Sequence, residues 1–204
     1  MIGGALCLDF TNTVSSTKSG LRDGDKLSSF GDFVEWSRQA GLIDSEEAAE
    51  LLAQWKADHE KGDSTLRAAV ELRETIYRLF SAVAVGKEIA HDDLDDLNRG
   101  LSAAMAHLQV ETEGEGFRWG WRGESNRMES LLWPIAKSAG ELLVDGNLQR
   151  VRECAGQTCA WLFVDTSRNH SRRWCDMSGC GNRAKVRKHY HAHAIAAAKY
   201  STAK

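Results

Sequence analysis

Four cysteines close to the C-terminus constrain this chain more than any other feature of its sequence. Cys154 and Cys159 enclose four residues, and Cys175 and Cys180 enclose four more. Two short-spaced pairs on separate turns are how a small module offers four thiolates to zinc, which takes sulfur tetrahedrally at about 2.3 Å. Four protein ligands close such a site, so one structural Zn2+ is expected, held by Cys154, Cys159, Cys175 and Cys180. Buried or redox-active thiols without metal are the bland alternative, and the doubled spacing argues against them. No basic residue precedes the short apolar start, as a secretory signal would require, and no apolar run reaches the eighteen or so residues of a membrane span. The expectation is a cytoplasmic protein with no membrane partner, a setting in which cysteine pairs serve metals more often than disulfides. Cys7, between Leu6 and Leu8, reads as a small buried hydrophobe.

The overall charge of -3 conceals two opposed parts. From Leu148 onward 11 Lys and Arg face three acids, a balance of +8, whereas the first 147 residues hold 15 basic and 26 acidic residues, a balance of -11. An acidic body carrying a basic, polyanion-binding module follows, with the division at the turn Asp145-Gly146-Asn147. Two units are expected, residues 1–147 and 148–204, although 204 residues also suit a single domain.

Within the body, Gly3 to Phe10 reads as a short buried strand in which Asp9 is paired, set at a pocket or exposed at the strand end. Four helices follow. Gly31 to Ala40 places Phe33, Trp36 and Ala40 on one side, and Asp44-Ser45-Glu46-Glu47 offers a capping box to a second helix running towards Trp55. A third, starting near Asp63-Ser64, has the broad apolar face of a core helix, and a fourth starts at Asp92-Asp93. Around Gly114-Glu115-Gly116 the period changes to that of a β-hairpin, Val110 to Glu113 and Phe117 to Arg122, with Phe117, Trp119 and Trp121 on one face. Such a row is core or a ligand-binding wall, core being the commoner use. A fifth helix, Asn126 to Asp145, either starts at Pro134 or is kinked by it. The fold class is therefore α+β, a mainly helical N-terminal domain with a β-hairpin, followed by a small zinc module. If the body binds a small-molecule effector, Asp9, Asn12 and Arg73 are the candidate polar contacts and Trp36, Trp119, Trp121 and Trp133 the candidate walls.

In the module, a knuckle at Cys154 to Cys159, a hairpin of 161–165 with 172–175, and a helix after Cys180 continuing to about Lys199 give a treble-clef-like order. Val186, Tyr190, His193 and Ala197 form a stripe suited to packing on that hairpin. The candidate nucleic-acid contacts are Arg168, Asn169, Arg172 and Arg173 in the loop and Asn182, Arg183, Lys185, Arg187 and Lys188 at the helix. Charge this dense in a small module is the expected footprint of polyanion binding, a solvated charged face being the alternative. His170, His189, His191 and His193 are not needed as ligands, because four thiolates already close the site.

Cys180-Gly181-Asn182-Arg183 resembles the signature of the CGNR zinc finger of bacterial proteins. The resemblance extends to Trp161-Leu162-Phe163-Val164-Asp165, Ser167-Arg168-Asn169, Ser171-Arg172-Arg173-Trp174-Cys175 and the basic run 183–187. The first part is similar to the ABATE domain that accompanies this finger, through Leu6-Cys7-Leu8-Asp9-Phe10, Asn12-Thr13 and Leu132-Trp133-Pro134-Ile135-Ala136. The resemblance implies that the four cysteines are zinc ligands, that the finger binds DNA, and that the protein regulates transcription in a stress response.

A DNA-binding regulator with an effector-binding body is thus the leading expectation. RNA is a close variant if Tyr190 and Trp174 are free to stack on bases. A protein-interaction module is a second class, distinguished by the absence of salt-sensitive binding to duplexes. A zinc-supported nuclease is a third, opposed by the closed ligand set and by the few carboxylates in the module. No catalytic constellation stands out, and the sequence is not expected to encode an enzyme.

Overall fold

The computed structural model describes residues 2–16, 22–122 and 127–190. The first segment is a helix rather than a strand: α1 spans Leu6–Thr11 and buries Cys7, Leu8, Phe10 and Thr11. Those positions follow a helical spacing, which an alternating strand does not bury together. Burial pushes the Cys7 thiol up to about 12 and keeps it protonated. Asp9 turns back on the chain, its Oδ1 accepting from Ile2 N at 2.8 Å and Gly3 N at 3.0 Å.

A short antiparallel pair, β1 (Val14–Ser16) and β2 (Arg22–Asp25), leads to α2 (Phe30–Gln39) and α3 (Ser45–Ala57). Both helices start in reciprocal capping boxes, Ser29 with Asp32 and Asp44 with Glu47, which satisfy amides that the first turn leaves without partners. The central element is α4 (His59–Ala84), capped by Asp58 and so one turn longer than expected. Its buried residues Gly62, Thr65, Ala69, Arg73, Ile76 and Phe80 recur every three or four positions and face α1, α2, α3 and α5. Gly62 is required there, because an added Cβ would lie 2.2 Å from the Trp55 ring.

Arg73 is 1% exposed and its guanidinium is consumed within the protein. It donates to Asp25 Oδ1 and Oδ2 at 2.7 and 2.6 Å, to Thr13 Oγ1 at 3.1 Å and to Glu74 Oε1 at 3.3 Å. This corrects its expected place in a ligand pocket: the residue ties β2 to α4, and a buried guanidinium is retained only when so partnered.

After α5 (His91–Met105), β3 (Leu108–Glu113) and β4 (Gly116–Trp121) pair antiparallel, with Leu108 opposite Trp121, Val110 opposite Trp119 and Thr112 opposite Phe117. The ribbon packs on the body at its base, where Trp121 meets Trp133 at 5.8 Å between ring centroids. The aromatic row is therefore not core throughout: Phe117 is 77% and Trp119 60% exposed, because a two-stranded ribbon leaves its apolar face uncovered beyond its base. A 3-10 turn at Met128–Leu132 precedes α6 (Trp133–Val144), so Pro134 lies in a first turn, where its missing N–H costs nothing.

The last strands, β5 (Val151–Glu153) and β6 (Leu162–Val164), pair with each other. The hairpin expected between 161–165 and 172–175 does not form: β6 has β5 on one edge, and the N-terminal segment occupies the other. Val164 N donates to Gly3 O at 2.7 Å, while the Asn12 side chain gives Nδ2 to Leu162 O at 2.8 Å and takes Leu162 N on Oδ1 at 3.0 Å. The Asn12 amide acts as a substitute peptide group beside β6. Val151 and Leu162 belong to the same hydrophobic core as α1, α4 and α6, so the basic part of the chain is rooted in the acidic body. No helix among the described residues is long and apolar enough to cross a membrane.

Asn12→Ala is expected to lower unfolding free energy by about 2 to 4 kcal/mol, since it strands one buried donor and one buried acceptor of Leu162. Urea unfolding followed by circular dichroism measures this, and a loss below about 0.5 kcal/mol would show that water replaces both bonds.

Candidate metal centre and the basic face around it

Cys154 leaves β5 and Cys159 precedes β6, so the first pair forms a knuckle inside the β5–β6 hairpin. Gly156 sits at its apex, where an added Cβ would approach Cys159 Cβ to 3.1 Å and Cys180 Sγ to 3.4 Å. The absence of a side chain lets the knuckle close over the sulfurs, and Gly156 N points at Cys154 Sγ at 3.4 Å. Of the second pair, Cys175 precedes and Cys180 lies within a π-helical turn, Met177–Gly181, whose start is capped by Asp176 through Gly179 N at 2.7 Å. Cys175 N is 3.4 Å from Cys154 Sγ, which joins the two pairs.

The four cysteines are buried, and their sulfurs all lie within 4.8 Å of one another. Cys159 Sγ is 3.8 Å from Cys175 Sγ, and Cys175 Sγ is 3.8 Å from Cys180 Sγ. Sulfurs about 2.3 Å from a shared tetrahedral centre are separated by about 3.8 Å, so the cluster has the dimensions of a tetrathiolate zinc site. The electrostatics point the same way. Hydrogen bonds from Cys159 and Cys175 favour a Cys154 thiolate, and that thiolate in turn pushes Cys159 up to about 12 and raises Cys175 as well. Four thiols this close do not ionise together unaided, whereas a dication holds all four as thiolates. The residues fit one structural zinc ion, with no position left for a substrate or a reactive water.

Around the centre, Phe163 is fully buried with Trp161 and Trp174 beside it. The connecting loop is organised by Asp165. Burial raises its pKa, but hydrogen bonds from Ser167 Oγ at 2.6 Å, Ser167 N at 2.9 Å and Arg172 N at 3.1 Å outweigh that and lower it. This loop exposes Arg168 and Asn169. Past the π-turn a helix, α7, covers residues 182–190, and Asn182, Lys185 and Lys188 are exposed along it, with Arg187 half-buried. The continuation towards Lys199, and with it His191, His193 and Ala197, lies outside the described residues. Val186 and Tyr190, expected to pack on the hairpin, are 46% and 70% exposed. The hairpin has no free apolar face for them, since Leu162 is taken by the main core and Phe163 by Arg172.

Two of the expected nucleic-acid contacts are engaged with the module itself, Arg172 half-buried and Arg183 exposed. Arg172 lies 4.3 Å over the Phe163 ring, donates to Trp174 O at 3.0 Å and to Ile2 O at 3.1 Å, and also reaches Cys175 O. It braces the second cysteine pair against the N-terminal segment. Arg183 donates from Nη2 to Cys180 Sγ at 3.0 Å. Arg173 is exposed and rests 5.4 Å from the Trp174 ring. His170 contacts Arg150 at 3.2 Å and His189 packs edge-on against Tyr190, so neither described histidine approaches the sulfurs as a ligand.

The residues expected to line one pocket divide between two clefts. Trp119, Trp121 and Trp133 line a cleft of about 290 Å³ with Leu42, Ile43 and Pro134. Asp9, Asn12 and Trp36 line another of about 370 Å³, together with Lys26 and Trp161. Lys26 carried no signal in the sequence and reaches the site only through folding, its Nζ lying 5.3 Å from the Trp161 ring. Asp9 Oδ2 is buried and has no hydrogen-bond partner among the described residues. Arg73 borders neither cleft.

Residues 4–146 match the model of the ABATE family, described as "Putative stress-induced transcription regulator", and residues 150–193 match that of the CGNR zinc finger. The chain belongs to the ABATE family and carries a CGNR zinc finger behind that domain. A search of curated proteins gave no match.

Elemental analysis of protein purified without chelators should find one zinc per chain. Replacing any one of the four cysteines by Ser should bring the content below half an equivalent, and because β5 and β6 share the main core, it should lower the melting temperature of the whole chain. Full zinc content in Cys175→Ser would contradict the ligand set.

Proposed function

We propose that this protein is a DNA-binding transcription regulator whose zinc centre shapes a basic face and whose body carries an effector site. The carrying observation is the arrangement of cations and amides around the closed centre: Arg168 and Arg173 are exposed on the loop with Asn169 between them, and Lys185 and Lys188, with Asn182, on the helix that starts at the last zinc-binding turn. Family membership supports the regulatory reading. Lysine and arginine contacts to phosphates would supply most of the affinity by displacing condensed counterions, while Asn182 or Arg187 would read base edges if the helix enters a major groove. A zinc held by four thiolates supplies no open coordination position, so the reading is of a binding protein rather than an enzyme.

The effector's place is the cleft of about 370 Å³ lined by Asp9, Lys26, Trp36 and Trp161. The unpartnered Asp9 Oδ2 suits a ligand with a hydrogen-bond donor, Lys26 offers a cation, and the two indoles suit a flat or apolar body. Trp161 adjoins the zinc knuckle and gives its Nε1 proton to Val14 O at 3.0 Å, so a ligand there touches both parts of the chain. RNA is a second reading because Tyr190, 70% exposed with the His189 ring edge-on to it, could stack on an unpaired base.

Fluorescence anisotropy with a randomised duplex pool at several salt concentrations tests the DNA reading. Affinity should fall steeply with salt, and Lys185→Gln or Lys188→Gln should weaken binding similarly for all sequences and flatten the salt slope by about one unit. Arg187→Gln should cost about 1 to 3 kcal/mol on the preferred sequence and relax discrimination at one position. Zinc-loaded protein that binds single-stranded RNA but no duplex would transfer the function to RNA. Binding to neither would leave a protein-interaction module.

A further inference from the structure

We infer that Arg183 belongs to the zinc centre as a positioning residue, bonding the Cys180 thiolate and offsetting its charge, and is not a nucleic-acid contact. A zinc ion held by four thiolates retains a formal charge of about -2, and burying that charge is costly unless donors or cations face it. The donors around the sulfurs are few. Cys154 Sγ receives two backbone amides, from Gly156 and Cys175, each at 3.4 Å. Cys180 Sγ receives Arg183 Nη2 at 3.0 Å, the shortest of these contacts and the one that brings a full positive charge. Arg183 also lines the shallow cleft formed by Cys159, Cys175, Asp176 and Cys180, so the guanidinium lies across the outer edge of the cluster.

Local structure places it there. Asp176 caps the π-turn, Cys180 leaves that turn, and residue 183 falls one helical turn later at the start of α7. A side chain three positions beyond Cys180 on the same helical face points back over the sulfur. Arg183, Lys185 and Lys188 are all exposed, but Lys185 and Lys188 start from other faces of α7, and Arg183 is the one that bonds a cysteine sulfur. Helix α7 thus has two kinds of basic residue, one bonded to a cysteine sulfur of the cluster and the others without such a bond. The bond to Cys180 would also fix the direction in which α7 leaves the centre, as outer-shell partners commonly orient metal ligands.

Competition for zinc against a chromophoric chelator, with full-length protein, tests this directly. Arg183→Gln should bind zinc about 10- to 100-fold more weakly than wild type, whereas Lys185→Gln should match wild type. Arg183→Lys should recover part of the loss, since it restores the charge without the planar guanidinium. With cobalt in place of zinc, the sulfur-to-metal charge-transfer band should shift in Arg183→Gln and remain in place in Lys185→Gln, a signature that a general loss of stability would not give. Circular dichroism at saturating zinc confirms that the compared variants are folded. Zinc-saturated Arg183→Gln should retain the wild-type salt slope for duplex binding. Unchanged zinc affinity in Arg183→Gln, or a salt slope flattened as in Lys185→Gln, would overturn the assignment. If the protein binds no duplex, the zinc competition and the cobalt spectrum still decide the role of Arg183, while the DNA reading fails separately.

Discussion

Four sulfurs within 4.8 Å of one another are the constraint on which the C-terminal structure depends. As thiolates they repel, so the fully ionised cluster is stable around a dication and unfavourable without one. The local features near them follow from that requirement. Gly156 has no side chain because the knuckle must close on the metal, Asp176 caps the turn that returns Cys180, and α7 starts directly from that turn. A segment with only Phe163, Trp161 and Trp174 around its cysteines has too little apolar surface to order itself, and metal binding supplies the missing folding free energy.

The centre is also connected to the body. Strand β6 is held on one edge by β5 and on the other by Gly3 O and the Asn12 amide, while Arg172 joins the carbonyl of Cys175 to that of Ile2. The N-terminal segment is thereby a structural part of the basic module, and Val151 and Leu162 lie in the core built by α1, α4 and α6. A cleft lined by Asp9, Asn12, Lys26 and Trp161 sits on this junction. Under the proposed function, a ligand there has a short physical route to the cysteine turns, through Asn12 and β6.

The cysteine spacing and the charge division were legible because both are local in sequence: two pairs of ligands and a cluster of cations declare themselves without the fold. The capping boxes at Ser29 and Asp44 and the glycine turn between β3 and β4 are equally local. What was not legible depended on partners distant in sequence. The segment Gly3 to Phe10 has apolar residues that fit strand or helix, and packing on α4 and α6 decides for α1. Arg73 looked available because Asp25 lies 48 residues away, and Phe117 and Trp119 looked like core because sequence does not show that their ribbon projects from the body. Arg172 and Arg183 are indistinguishable by composition from Arg168 and Arg173. Only geometry shows Arg172 bonded to backbone carbonyls and Arg183 to a cysteine sulfur.

Native-state amide hydrogen exchange on zinc-loaded and chelator-treated protein tests the central claim most directly, because it reads the centre and its attachment residue by residue. Removing zinc should abolish protection in the turns around Cys154 to Cys159 and Cys175 to Cys180. It should also weaken protection in β6 at Leu162 to Val164, with smaller losses where Gly3 to Asn12 borders that strand, while the middle of α4 remains protected. Unchanged exchange at the cysteine turns after complete zinc removal would contradict the account.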